Sequence, residues 1–163
     1  MKGPISPINI DSNVFIAPGA QIIGDVSIKS GSSVWYNAVL RGDEGAICIG
    51  SNTNIQDLVM VHVSKNAPTA IGDNVTIGHG AIIHGCTVED NVLIGMGSII
   101  LDRARIGKNS IVGAGSLVTQ GKCFPEGSLI LGSPAQVKRP LTAEEIENVQ
   151  NSAKNYTLLA GLT

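Results

Sequence analysis

From Ile10 onward an aliphatic side chain returns at every sixth position: Ile10, Ile16, Ile22, Ile28, Val34 and Leu40. The period resumes as Ile49, Ile55, Val61 and as Ile71, Ile77, Ile83. It then runs unbroken through Val88, Ile94, Ile100, Ile106, Val112, Val118, Phe124 and Ile130. Ile or Val fills 18 of these 20 positions but only 35 of all 163, so composition does not explain the spacing. Three steps are irregular: Leu40 to Ile49, Val61 to Ile71, and Ile83 to Val88.

A period of six fits neither an amphipathic helix nor a long alternating strand. It fits short strands separated by tight turns, with one apolar side chain per strand directed into a narrow core. Gly often follows the apolar residue (Gly50, Gly72, Gly78, Gly95, Gly107, Gly113), and a small residue or Val sits four places on (Val14, Ala20, Val26, Ala38, Val75, Ala81, Ser98, Ser110, Ser116). Only 3% of the chain is aromatic, as a thin prism requires. The pattern is the hexapeptide repeat. The expected fold is all-β, a parallel β-helix of about seven coils over residues 10–135.

The chain then changes character. After Pro140, Thr142 and Glu145 form a capping box, and Ile146, Val149, Ala153, Tyr156 and Ala160 recur at helical spacing before Gly161. One C-terminal α-helix over 141–160 is expected to pack outside the prism. Residues 1–163 read as a single domain.

Charge and composition exclude several partners. Eleven basic against thirteen acidic residues leave no basic footprint for nucleic acid. Apolar stretches are interrupted after a few residues, so no membrane span is expected. The leading MKGPISPINI has two prolines and no apolar core, unlike a signal peptide. Cys48, Cys86 and Cys123 form no CxxC pair and read as reduced thiols of a cytoplasmic protein.

The three histidines fall into register. With three hexapeptides per coil, Val61 and Ile83 share a face on successive coils, so His62 and His84 both point outward, about 4.8 Å apart. Arg41 precedes them in the same column. His79 lies two places after Ile77, above Asp57, which lies two after Ile55; this column is round a corner from the first. The columns converge only if a neighbouring subunit packs its corner against this face, which predicts an intersubunit site in a homotrimer. Three imidazoles leave one tetrahedral position for water, the pattern of catalytic zinc, and bound zinc brings the water pKa to about 7. Iron or cobalt fits the same ligands.

His62, the run HGAIIH from His79 to His84, RGD at Arg41–Asp43 and NIQD at Asn54–Asp57 together resemble the γ-class carbonic anhydrase family. The resemblance implies a left-handed β-helix trimer that hydrates CO2 reversibly to bicarbonate through a hydroxide on the metal. It matches His62 and His84 to ligands of one subunit and His79 to the ligand of its neighbour. It matches Arg41, Asp43 and Asp57 to residues tying subunits together near the site, and Gln56 to the residue positioning the metal-bound water. Tyr156 matches a tyrosine of the family's C-terminal helix, although its apolar spacing also fits simple packing. The best-known members carry an acidic loop after the first histidine; here VSKNAPTA (63–70) has no carboxylate, leaving Glu44 as the proton-shuttle candidate. The sequence thus points to a carbonate dehydratase, a lyase. A catalytically weak or inactive metal-binding scaffold and a hexapeptide acyltransferase are the alternatives.

Overall fold

The structure, a computed structural model, describes residues 8–161. Residues 1–7, most of the segment read above as unlike a signal peptide, lie outside the described residues. The chain winds into a parallel β-solenoid of about seven turns, followed by helix α1 (Ala143–Ala160).

Parallel pairing stacks the sixth-residue positions. On the first face Leu40, Val61, Ile83, Ile100 and Val118 lie side by side on successive coils. On the second face the row is Ile10, Ile28, Ile49, Ile71, Val88, Ile106 and Phe124. On the third it is Ile16, Val34, Ile55, Ile77, Ile94, Val112 and Ile130. All three irregular steps therefore fall where the sequence places them. Every one of these positions is buried except Ile10, Ile16 and Ile22 in the first coil. Burying one such side chain contributes about 1.5–3 kcal/mol, and these rows, with smaller residues such as Val26, Ala38, Val59, Val75 and Ala81 at the corners, make up the core.

The corners solve the polar problem of a thin prism. Buried hydroxyls bond to carbonyls of the adjoining coil: Ser32 Oγ donates to the Gly50 carbonyl (2.6 Å), Thr53 Oγ1 to Gly72 (2.7 Å) and Ser98 Oγ to Gly113 (3.0 Å). Between the third and first faces each turn needs a left-handed residue, supplied by Asn37, Leu58 and Gly80 at φ of 58°, 60° and 66°. Leu58 is the bulky exception, and its side chain stands 66% exposed.

Two strands run through a corner without a break, Gln21–Ile28 and Val39–Ile49, merging the first and second faces into one bent sheet. At the other end the sequence missed a strand. Ala135–Pro140 turns back antiparallel along Ser128–Gly132, because the hexad pattern says nothing about a chain that leaves the coil.

Helix α1 starts two residues later than expected, with the capping box formed: Glu145 N–H donates to Thr142 Oγ1 (3.2 Å) and Thr142 N–H to Glu145 Oε2 (2.9 Å). It lies on the third face against Ser33–Val34, Asn54–Ile55 and Thr76–Ile77, burying Val149 and Ala153. Among the described residues no helix is long and apolar enough to cross a membrane.

Candidate metal centre

His62 and His84 end short strands of the first face. Val61 and Ile83 turn inward, so strand alternation sends the next side chain out. Parallel pairing then sets Arg41 beside His62 and His62 beside His84. The imidazole rings meet edge to face with centroids 5.0 Å apart, and His62 Nδ1 lies 3.1 Å from His84 Nε2.

The remaining ring nitrogens each face a carboxylate. His62 Nε2 lies 2.9 Å from Asp43 Oδ1, and His84 Nδ1 is hydrogen-bonded to Asp102 Oδ1. The hydrogen bond from His62 holds the Asp43 carboxyl below its ordinary value against some burial, and Arg41 Nη1, 2.6 Å from Oδ2, pulls the same way. Burial pushes Asp102 up, but hydrogen bonds from His84 and Ser64 outweigh it and the carboxyl titrates below its usual range. Ionised carboxylates only accept, so His62 Nε2 and His84 Nδ1 carry the ring hydrogens. In the neutral rings His62 Nδ1 and His84 Nε2 then present lone pairs to one another, a repulsion that a shared cation relieves. Two imidazoles on one zinc at about 2.0–2.1 Å place their nitrogens about 3.3 Å apart at a tetrahedral angle, close to the separation here. Ligating histidines typically back their second nitrogen with a carboxylate. The donor set fits a divalent metal.

His79 belongs to the other column. Ile55 pairs with Ile77, so Asp57 and His79, each two residues on, stand one coil apart at the corner between the third and first faces. His79 Nδ1 lies 2.8 Å from Asp57 Oδ2, a third imidazole–carboxylate pair, with His79 close to half exposed. Among the described residues, no three His, Cys, Asp or Glu side chains of one chain gather where they could hold an ion. The chain brings two histidines together and holds the third round the corner, as the register requires.

The other candidate residues divide between these columns. Gln56, 4% exposed, donates from Nε2 to Asn54 Oδ1 (3.0 Å) and accepts the His79 backbone N–H at Oε1 (3.2 Å). One amide hydrogen and one lone pair remain to meet a ligand. Glu44 is exposed, one residue beyond Asp43. Tyr156 of α1 packs edge-on against Trp35 with ring centroids 5.5 Å apart. Burial, and secondly the charge of Asp57, push its hydroxyl above the ordinary value, so the helix tyrosine lies within reach of the His79 column's field.

Sequence reasoning missed Asp102 and Ser64. Ser64 Oγ donates to Asp102 Oδ2 at 2.7 Å. The signal was present, since Asp102 stands one coil beyond Gly85 in the column after the histidines.

The family model described as bacterial transferase hexapeptide (six repeats) matches residues 85–120. The mitochondrial γ-carbonic anhydrase 2 of Arabidopsis thaliana is 53% identical over 95% of this chain, which spans 58% of that relative's length. The carbonic anhydrase of Geobacillus kaustophilus is 48% identical over 90% of this chain and 81% of its own. The chain belongs to the γ-carbonic anhydrase family. A Bacillus cereus structure described as a candidate acetyltransferase superposes with a TM-score of 0.93 at 44% identity, covering 94% of this chain and 89% of its own. A shared coil does not decide the chemistry.

Proposed function

We propose that this protein hydrates CO2 reversibly to bicarbonate, as a homotrimer whose divalent metal is held by His62 and His84 of one subunit and His79 of the next. The observation that carries the reading is the His62–His84 pair, facing nitrogen to nitrogen with a carboxylate behind each ring. Zinc suits three neutral imidazoles; iron(II) and cobalt(II) suit them too. When bound, such an ion supplies a nucleophilic oxygen from water near neutral pH.

The chain's own residues do the rest. Asp43, Asp57 and Asp102 orient the three rings. Gln56, fixed by Asn54 and the His79 backbone, directs its spare donor and acceptor toward the reacting oxygen. Arg41 uses Nη1 on Asp43 and offers its remaining donors to a carboxylate across the interface. Glu44, exposed beside Asp43, passes the released proton to buffer. The outward row of Val39, Met60, Ile82, Ile99 and Leu117 gives the first face an apolar strip for a neighbouring subunit, with Met60 38% and Ile82 39% exposed.

Stopped-flow CO2 hydration, with metal content determined on the same sample, tests the reading. One metal per subunit and hydration abolished by His62→Ala are expected. Metal bound in that ratio with no hydration overturns the enzyme and leaves a metal-binding scaffold.

A further inference from the structure

The loop that follows His62 interrupts the hexads, taking ten residues from Val61 to Ile71 where six would serve. It carries no acid, yet it is tightly built. Ser64 N–H donates to the Ala67 carbonyl (3.2 Å) and Ala67 N–H to that of Ser64 (2.9 Å), closing the turn. Thr69, 1% exposed, donates from Oγ1 to the His62 carbonyl (2.7 Å) and accepts the Gly85 N–H (3.0 Å). Both histidine strands are thereby anchored to the loop.

We propose that this insertion is a positioning device: Ser64 clamps Asp102, and Asp102 fixes the His84 ring with its hydrogen on Nδ1, so that Nε2 is left free to ligate. The inference rests on the three-histidine reading above. Three coils take part, since Ser64, His84 and Asp102 lie on successive turns. Both carboxylate oxygens are engaged, Oδ2 by Ser64 (2.7 Å) and Oδ1 by His84, which fixes the carboxylate plane. A free neutral imidazole favours hydrogen on Nε2, the wrong tautomer for a ligand through that atom; an acceptor on Nδ1 reverses the preference.

Gly85 makes the contact possible. A Cβ there would stand 2.6 Å from Asp102 Oδ1 and 3.0 Å from the Ala67 methyl, and φ is +56°. The residue after His84 must therefore lack a side chain for Asp102 to reach back across the coil. Arg103 N–H, donating to the Gly85 carbonyl at 2.7 Å, holds the two coils in that register.

The role is to position, so the test reads tautomer and metal affinity rather than turnover. Zinc affinity is measured by chelator competition, and the His84 tautomer by 15N NMR on metal-free protein at alkaline pH. Asp102→Ala should weaken zinc roughly 10–100-fold and shift His84 toward the Nε2–H form. Asp102→Asn keeps an acceptor and should retain the tautomer. Ser64→Ala, which leaves all three site carboxylates and all histidines in place, should weaken zinc by a smaller factor. It stands as the informative variant if Asp102→Ala fails to fold. Tight zinc binding and an unchanged His84 tautomer in both Asp102→Ala and Ser64→Ala, or in Ser64→Ala alone where the former does not fold, overturn the proposal. Wild-type protein that binds no zinc overturns the metal reading instead.

Discussion

The coils from Leu40 to Ile83 and those from Val88 to Ile130 share one architecture and differ in regularity. Along the later stretch the aliphatic row advances by six at every step, and each coil repeats after 18 residues from Val88 to Ile106 and from Ile94 to Val112. In the earlier stretch the spacing is 21 from Leu40 to Val61 and 22 from Val61 to Ile83. His62, His79, Asp43, Asp57 and Gln56 lie in the earlier stretch and His84 directly follows its last residue; of the carboxylates behind the rings, Asp102 alone comes from the regular stretch. The unbroken repeat is mainly a frame, lending the site Asp102; each insertion in the other part delivers a side chain the hexad does not supply. The insertion after Leu40 brings Asp43 to His62, and the one after Val61 brings Ser64 to Asp102.

Substitutions in the two stretches should fail in different ways. His79→Ala should take bound metal from one per subunit to none and shift the trimer to smaller species on dilution, with far-UV circular dichroism unchanged. Metal analysis and light scattering check this, and a fully metallated, dilution-resistant variant would break the assignment of His79 to the neighbour's site. Ile94→Ala, in the regular stretch, should cost about 2–5 kcal/mol by guanidinium denaturation because its cavity has no route to collapse. It should leave zinc per folded subunit unchanged; a loss of metal would erase the division between frame and site.

The helix offers a finer probe. Thr142→Ala should cost about 1 kcal/mol through the lost cap. Trp35 is the only tryptophan and packs on Tyr156, so its fluorescence reports whether the helix is seated. Hydrogen bonds from Arg139 and from the Thr142 backbone lower the Glu145 carboxyl from 4.5 to about 2. A carboxyl depressed on folding stabilises above its unfolded value and loses that contribution as pH falls through the folded one. Helix seating should therefore loosen as pH drops from 4.5 towards about 2, and Glu145→Gln should flatten the dependence. The smallest effect concerns the thiols. Burial pushes Cys86 up to about 12, so a thiol reagent at mildly alkaline pH should modify Cys48 and Cys123 and leave Cys86 silent in the folded chain.

The sequence carried the coil to the residue, because inward direction, face and register all follow from one period. It carried His62, His84 and the Asp57–His79 pair for the same reason. Asp102 escaped, although its column follows from the register, because its reach back to His84 depends on Gly85 leaving space, which periodicity does not encode. Asp43 was assigned to the subunit boundary by resemblance, whereas within the chain it backs His62 and pairs with Arg41. The strand Ala135–Pro140 escaped because it obeys a different pairing rule from everything before it.

That strand has a consequence for growth. A stack of parallel strands exposes a template at its last rung, and a second copy could extend it as a fibre. On the third face the template is already occupied by a strand of opposite direction. Its residues from Gln136 to Pro140 are all exposed, and they include Lys138, Arg139 and a proline that has no N–H to offer. On this face the coil carries its own chain terminator, which removes its last rung there as a template for end-to-end extension.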